Sequence, residues 1–181
     1  NPGGAINKMK KVFLGIDESK NYRIQENFYV YAGVYSLLEE DIKLFLYEDK
    51  LRLTNSDLET YFSFKERSFD IIRVKDGAPL GFVEVVPLLI ENFLNRNKSE
   101  EIVEFEVMVD GNIDGKHSKI IYKKFNDNIN IRLVNLNGFN KGMIKYNRER
   151  KLCFEYPYIL RVADTQAHNF AFGKISVYDK I

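Results

Sequence analysis

Three aspartates stand where packing alone does not explain a charge. The apolar run "KVFLGID" ends on Asp17, with Glu18 beside it, and the run "EIVEFEVMV" is followed by Asp110. Asp164 lies within "LRVADTQAHNFAFG", a mostly apolar segment with helical spacing. A buried carboxylate has to be paired or to hold a metal, because an isolated buried charge is costly. These residues are therefore the candidate site, together with His168, one helical turn beyond Asp164.

Clustered carboxylates repel one another unless cations neutralise them. Oxygen ligands without cysteine favour Mg²⁺ or Mn²⁺. Two such ions about 3.5–4 Å apart suit in-line cleavage of a phosphodiester, one activating water and the other stabilising the leaving oxygen. The pattern therefore predicts metal ligands at Asp17, Asp110 and Asp164, and hydrolysis of DNA or RNA as the reaction.

Each of these residues also has a simpler interpretation. Asp110 precedes a glycine, and Asp-Gly is typical of turns. An ion pair with Arg161 or Lys174 would account for Asp164. His168 would also fit as a hydrogen-bonded core residue. The hypothesis depends on the pattern as a whole, in which two apolar strands and one apolar helix all carry an aspartate.

The surrounding elements must bring these aspartates together. Runs of apolar residues predict strands, over 11–17, 27–36, 60–68, 101–111 and 129–137. Helical spacing predicts helices, over 37–53, 79–97, 115–126 and 157–175. This order favours an α/β fold with a mixed parallel and antiparallel sheet flanked by helices, its first two strands forming a hairpin. Ligands bind at the carboxyl ends of such strands, where Asp17 and Asp110 meet if their strands are neighbours.

Composition limits the classes of protein. Of the 181 residues 45% are hydrophobic and 14% aromatic, which is enough for a core. The net charge is only +1, so contact with nucleic acid needs a local basic patch. Cys153 is the single cysteine, which excludes an internal disulfide and suits a reducing, cytoplasmic location. No stretch approaches the roughly 20 apolar residues of a membrane span, so we expect no membrane partner. We expect residues 1–10 to be a tag remnant or flexible N-terminus and residues 11–181 to form one domain.

The motifs "FLGIDES", "VMVDG" and "LRVADTQAHNFAFG", in this order, resemble the ribonuclease H-like superfamily. Ribonuclease HII also opens with a strand ending in Asp-Glu and has a later strand ending in Asp-Gly. An uncharacterised family of such domains is more similar, with "IDES", a middle Glu-x-Lys-like segment matched by "FSFKERS" around Lys65, and an "ADxxA" helix. The resemblance covers about residues 11 to 173.

The resemblance implies a ribonuclease H-like fold with metal ligands at Asp17, Asp110 and Asp164. It implies Glu18 as a fourth carboxylate, as in ribonuclease HII. In several related nucleases a histidine replaces the last acidic ligand, and the resemblance implies that part for His168. Lys20 stands where both groups have glycine, and the alanine- and serine-rich segment of ribonuclease HII is missing. The broader superfamily is therefore favoured over ribonuclease HII itself.

A basic segment is the candidate contact for nucleic acid. "NKGMIKYNRERK" contains Lys145, Arg148 and Arg150 around Tyr146, a combination suited to phosphate contacts and base stacking. Lys65 is a further candidate. The alternative is a solvated loop. A non-catalytic nucleic-acid-binding or scaffold protein that lost its metals is the rival function. Another phosphoryl-transfer enzyme is disfavoured because the sequence has no glycine-rich P-loop.

Overall fold

The computed structural model describes residues 9–21, 28–48, 52–75, 80–125, 128–136, 144–146 and 152–173. Its strands are β1 (Lys10–Asn21), β2 (Phe28–Ser36), β3 (Leu44–Glu48), β4 (Arg67–Lys75), β5 (Ile102–Val109), β6 (Asn130–Asn135), β7 (Ile144–Tyr146) and β8 (Leu152–Pro157). Its α-helices are α1 (Asn55–Phe62), α2 (Phe82–Arg96), α3 (Gly115–Phe125) and α4 (Tyr158–Ala171).

Five strands form the main sheet, in the order β4-β2-β1-β5-β6. β2 pairs antiparallel with both β1 and β4, whereas β5 pairs parallel with both β1 and β6. The predicted fold class, an α/β domain whose mixed sheet is flanked by helices, is confirmed, and so is the hairpin of the first two strands. A second, antiparallel sheet has the order β3-β8-β7.

Helices cover both faces of the main sheet. Side chains alternate along β1, as they do in any strand. Val12, Leu14 and Ile16 pack with α2 and α3, whereas Phe13 packs with α1 and α4. Asp17 has the same parity as Phe13, so β1 directs it toward the α4 face of the sheet.

Gly15 lets α4 lie close to β1. A Cβ atom at Gly15 would stand 3.1 Å from both Cγ1 and Cγ2 of Ile159 and 3.3 Å from its backbone carbonyl carbon. Ile159 is itself fully buried in the first turn of α4. The glycine of "LGIDES" therefore has a packing reason, because it allows the helix that carries Asp164 to approach the strand that carries Asp17.

The helix predicted over 37–53 is wrong. This segment holds a 3₁₀ turn, Glu39–Ile42, followed by β3, which pairs with β8. The turn is fixed by Asp41, which accepts hydrogen bonds from the Ser36 and Tyr61 hydroxyls and from the Arg67 guanidinium. The partner strand comes from a distant part of the sequence, and so the local spacing of apolar residues pointed to the wrong element.

The strand predicted over 60–68 is also wrong. Thr54 and Asp57 form a capping box that starts α1, and this helix runs through Phe62. The strand in this region is β4, which begins only at Arg67. The predictions of α2, α3, α4, β5 and β6 are confirmed within a few residues.

Two strands besides β3 were missed by the sequence patterns. β7 lies inside the segment predicted as a loop, and β8 precedes α4 directly. Residues 1–8 lie outside the described residues, so the expected tag remnant and the domain limits stay predictions. Among the helices described, none combines the length and the apolar character that crossing a membrane requires.

Candidate carboxylate site

Asp17 and Asp110 lie side by side on neighbouring parallel strands. The pairing of β1 with β5 ends at Ile16 and Val109, and the two aspartates are the next residues on each strand. The Asp110 N–H donates to the Ile16 carbonyl at 3.1 Å. β1 itself does not end at the acidic pair, as the sequence suggested, because it continues to Asn21 along β2. Asp17 thus sits where the sheet opens on one side only.

Asp17 is buried among other carboxylates. It is 5% exposed, and it accepts a hydrogen bond from the Glu18 N–H at 2.8 Å. Burial, and after it the negative charges of Asp164 and Asp110, raise the pKa of Asp17 well above its usual value. A hydrogen bond between the Asp17 and Asp164 side chains raises this pKa further. Asp17 therefore holds its proton well above the pH range in which an ordinary carboxyl group loses it.

Asp164 reaches the same place from α4. Its side chain is 44% exposed, so it is less buried than the apolar character of the helix suggested. The Arg52 Nε lies 3.8 Å from Asp164 Oδ2, which makes an ion pair without a hydrogen bond. Lys174, one of the partners expected from the sequence, lies outside the described residues.

Tyr156 holds Asp110. Its hydroxyl donates to Asp110 Oδ2 at 2.6 Å. Tyr156 is the residue before last in β8 and is buried. The second sheet therefore supports the carboxylate site of the first.

The three carboxylates do not form a metal cage as they stand. Among the residues described, no group of three or more histidine, cysteine or acidic side chains is arranged to hold an ion. Asp110 is engaged by the Tyr156 hydroxyl, and Arg52 lies beside Asp164. The donor set, carboxylate oxygens alone, is nevertheless of the type that a hard divalent cation prefers.

No protein-family model matches the sequence, and no curated protein matches it either. The fold is similar to a chain of the solved PCNA:RNase HII complex from Archaeoglobus fulgidus, with a TM-score of 0.46 and 16% sequence identity. The match covers 88% of this chain and 71% of that chain.

Glu18 is not brought to the other carboxylates. It follows Asp17 on β1 and therefore points to the opposite face of the sheet. There its side chain hydrogen-bonds with Tyr31, and burial followed by the Glu18 charge raises the pKa of Tyr31 above its usual value. Tyr31 packs edge-on against Phe82 of α2, which identifies the face.

His168 lies one turn beyond Asp164 on α4, as the sequence predicted. Its ring packs on Phe172 with the centroids 4.5 Å apart. The catalytic role of His168 stays a prediction.

The candidate nucleic-acid residues are placed only in part. Lys145 and Tyr146 belong to β7, whereas Arg148 and Arg150 lie outside the described residues. Lys65 is exposed in the turn before β4. β4 begins beside Ser36, the last residue of β2, and Ser36 pairs on its other side with Phe13 near the start of β1. Lys65, just before β4, therefore lies at the sheet end away from Asp17.

Sequence reasoning missed two residues that contact the site. Arg52 lies at the end of the helix predicted over 37–53, and Tyr156 precedes the predicted last helix in a segment without a strand signal of its own. Both meet the aspartates only through tertiary contacts, at separations of 112 residues for the Arg52 pair and 46 for the Tyr156 pair. No local pattern carries such information.

Proposed function

We propose that this chain is a metal-dependent nuclease that hydrolyses phosphodiester bonds of DNA or RNA at Asp17, Asp110 and Asp164. The observation that supports this best is the environment of Asp17. A buried carboxylate faces two further carboxylates, and their charges raise its pKa. Such an arrangement is unfavourable for a metal-free fold and is explained by a cation that neutralises it.

Asp17, Asp110 and Asp164 are the residues that would hold Mg²⁺ or Mn²⁺. When bound, such an ion activates water and stabilises the leaving oxygen of the phosphodiester. The chain supplies orientation. β1 presents Asp17 from between two paired strands, Tyr156 fixes Asp110 through its hydroxyl, and the close approach at Gly15 sets the distance of α4.

The proposed partner is nucleic acid, and its proposed contacts are Lys145, Tyr146, Arg148 and Arg150. Their basic and aromatic character supports phosphate contacts with stacking. Membership of the uncharacterised ribonuclease H-like family and a cytoplasmic location are proposed on the motifs and on the single cysteine.

One observation favours the rival function, a non-catalytic binding or scaffold protein. Asp110 and Asp164 are engaged by Tyr156 and Arg52, and the described carboxylates form no ligating group. In that alternative the two contacts replace the metal for good. The two functions differ in a single measurable property, which is cleavage that depends on a divalent cation.

A cleavage assay separates them. Wild type and Asp17→Asn are incubated with single-stranded, duplex and hybrid oligonucleotides in MgCl₂ or MnCl₂. The nuclease proposal expects cleavage by wild type and none by Asp17→Asn, since Asn keeps the shape and loses the charge. Asp114→Asn is the matched control, because Asp114 is exposed and caps α3, where Asn caps equally well. Cleavage by Asp17→Asn, or none by wild type, contradicts the proposal.

A further inference from the structure

Arg52 lies at the carboxylate site but is not one of the proposed metal ligands. Its side chain is 47% exposed, and its Nε lies 3.8 Å from Asp164 Oδ2. Among the described residues its guanidinium donates no hydrogen bond, because that separation exceeds hydrogen-bonding distance. Within the described part of the chain, the guanidinium thus lies near the site with its donors unused.

The backbone that follows Arg52 is anchored to α4 and to the start of α1. The N–H of the next residue, Leu53, donates to the Thr165 Oγ1 of α4 at 3.2 Å, and the Leu53 side chain is buried in the core under α4. Thr54 follows as the N-cap of α1. Because Thr165 is the neighbour of Asp164 on α4, this hydrogen bond places Arg52 beside the carboxylates independently of any ion pair.

An exposed guanidinium beside an acidic site suits an anion that bridges to it. Arginine offers a planar fork of donors that matches the two free oxygens of a phosphodiester. Repulsion from the carboxylates opposes such an anion until divalent cations neutralise them. Arg52 would then contact the phosphate from the side of α4, at the edge of the neutralised site.

We propose that Arg52 binds the phosphodiester group that enters the carboxylate site. This proposal rests on the proposed nuclease function and names the group that recognises its substrate. The chemistry recognised is a phosphate oxygen pair, which a nucleic acid or free phosphate supplies. The nucleic acid is the proposed source, because the carboxylates beside Arg52 are those proposed to act on a phosphodiester.

Binding is measured with all three aspartates in place and with CaCl₂ replacing MgCl₂, because Ca²⁺ takes the same oxygen ligands in a looser geometry that does not suit the cleavage step. Fluorescence anisotropy with a labelled oligonucleotide, over a salt series, compares this protein with Arg52→Gln, Arg52→Lys and Arg132→Gln. Arg132 is the matched control, since it is 66% exposed on the edge strand β6 and pairs with Glu106.

Loss of Arg52 is expected to raise the dissociation constant about tenfold or more. The dependence of log K on log salt should flatten by about 0.7–0.9, as for one lost phosphate contact. Arg52→Lys should keep the salt slope but bind more weakly than Arg52, because it keeps the charge and loses the fork. Arg132→Gln should leave both quantities unchanged. Equal affinity and slope with Arg52→Gln would overturn the proposal.

Inorganic phosphate distinguishes the two sources. Phosphate should compete with the oligonucleotide in the protein that has Arg52 and not in Arg52→Gln. If inorganic phosphate binds only when Arg52 is present, whereas the oligonucleotide binds equally well without Arg52, the assignment to a phosphodiester is overturned. Cleavage of the oligonucleotide by Asp17→Asn in MgCl₂ would instead contradict the nuclease site itself. The two failures are therefore distinguishable.

Discussion

Two buried aspartates at opposite ends of the main sheet have opposite surroundings. Asp41, 2% exposed, accepts hydrogen bonds from two hydroxyls and has both carboxylate oxygens on the guanidinium of Arg67. Asp17, 5% exposed, accepts one backbone N–H and faces Asp164 and Asp110. The fold explains Asp41, which fixes a turn. It does not explain Asp17, and this difference separates a structural carboxylate from a candidate functional one.

The largest expected effect on the free energy of unfolding is at Asp41. Asp41→Ala should lower the free energy of unfolding by about 3–5 kcal/mol, because it leaves the largely buried Arg67 guanidinium without its carboxylate. Urea unfolding measures the loss. Glu40→Ala is the control, since Glu40 contacts the same arginine from an exposed position, and it should cost less than about 1 kcal/mol. A loss at Asp41 no larger than at Glu40 would remove the contrast between the two ends.

The close approach of α4 to β1 predicts the next effect. Gly15→Ala should lower the free energy of unfolding by about 1–3 kcal/mol, because the new methyl group meets the stiff side chain and backbone of Ile159. Gly115→Ala, whose Cβ meets nothing within 4 Å, should leave stability unchanged or slightly higher. Thermal unfolding of both variants checks this. A neutral Gly15→Ala would mean that α4 adjusts freely over β1.

At the functional end, removing a charge should stabilise the metal-free protein. The pKa of Asp17 is raised in the folded protein. Its contribution to the free energy of unfolding is therefore fully present below the ordinary carboxyl pKa of about 3.9, and it is lost as pH rises through the raised pKa. Asp17→Asn lacks this loss. Its advantage over wild type should therefore grow as pH rises from about 4 to about 7. Urea unfolding in a chelator at several pH values measures it. An advantage independent of pH would contradict the repulsion.

The smallest effect is expected at Glu18, the residue after Asp17 on β1. Glu18→Gln should change the free energy of unfolding by no more than about 0.5 kcal/mol, because Glu18 is exposed and Gln also hydrogen-bonds Tyr31. It should also leave cleavage unchanged, since Glu18 faces away from Asp17. A cleavage assay beside Asp17→Asn tests this. Loss of cleavage in Glu18→Gln would show that the two faces of β1 act together.

Much of this fold was readable from the sequence, because the central strands and the helices around them carry strong local periodicity. The segment 37–53 was not, since β3 exists through its pairing with β8, which begins at Leu44 opposite Pro157. Apolar residues there fit a helical spacing as well as a strand. Local patterns specify an element only where no distant partner decides it.

The placement of the candidate residues could be predicted only in part. The sequence put Asp17 and Asp110 together on the condition that their strands are neighbours, and β1 and β5 are neighbours. The helical spacing around Asp164 predicted α4. The separation of Glu18 from Asp17 required knowing that β1 continues past the acidic pair to Asn21, so that strand alternation applies. Arg52 and Tyr156 arrive through tertiary contacts alone, and the residues that complete the site were therefore beyond sequence reasoning.

The most direct test of the carboxylate site is the effect of Mn²⁺ on thermal unfolding. An ion that binds only the folded protein stabilises it, by about 2.7 kcal/mol at a hundredfold excess over its dissociation constant. The unfolding midpoint of wild type and of Glu18→Gln should therefore rise with added MnCl₂, and that of Asp17→Asn should not. An equal rise in Asp17→Asn, or no rise in wild type, would contradict the assignment of Asp17 as a metal ligand.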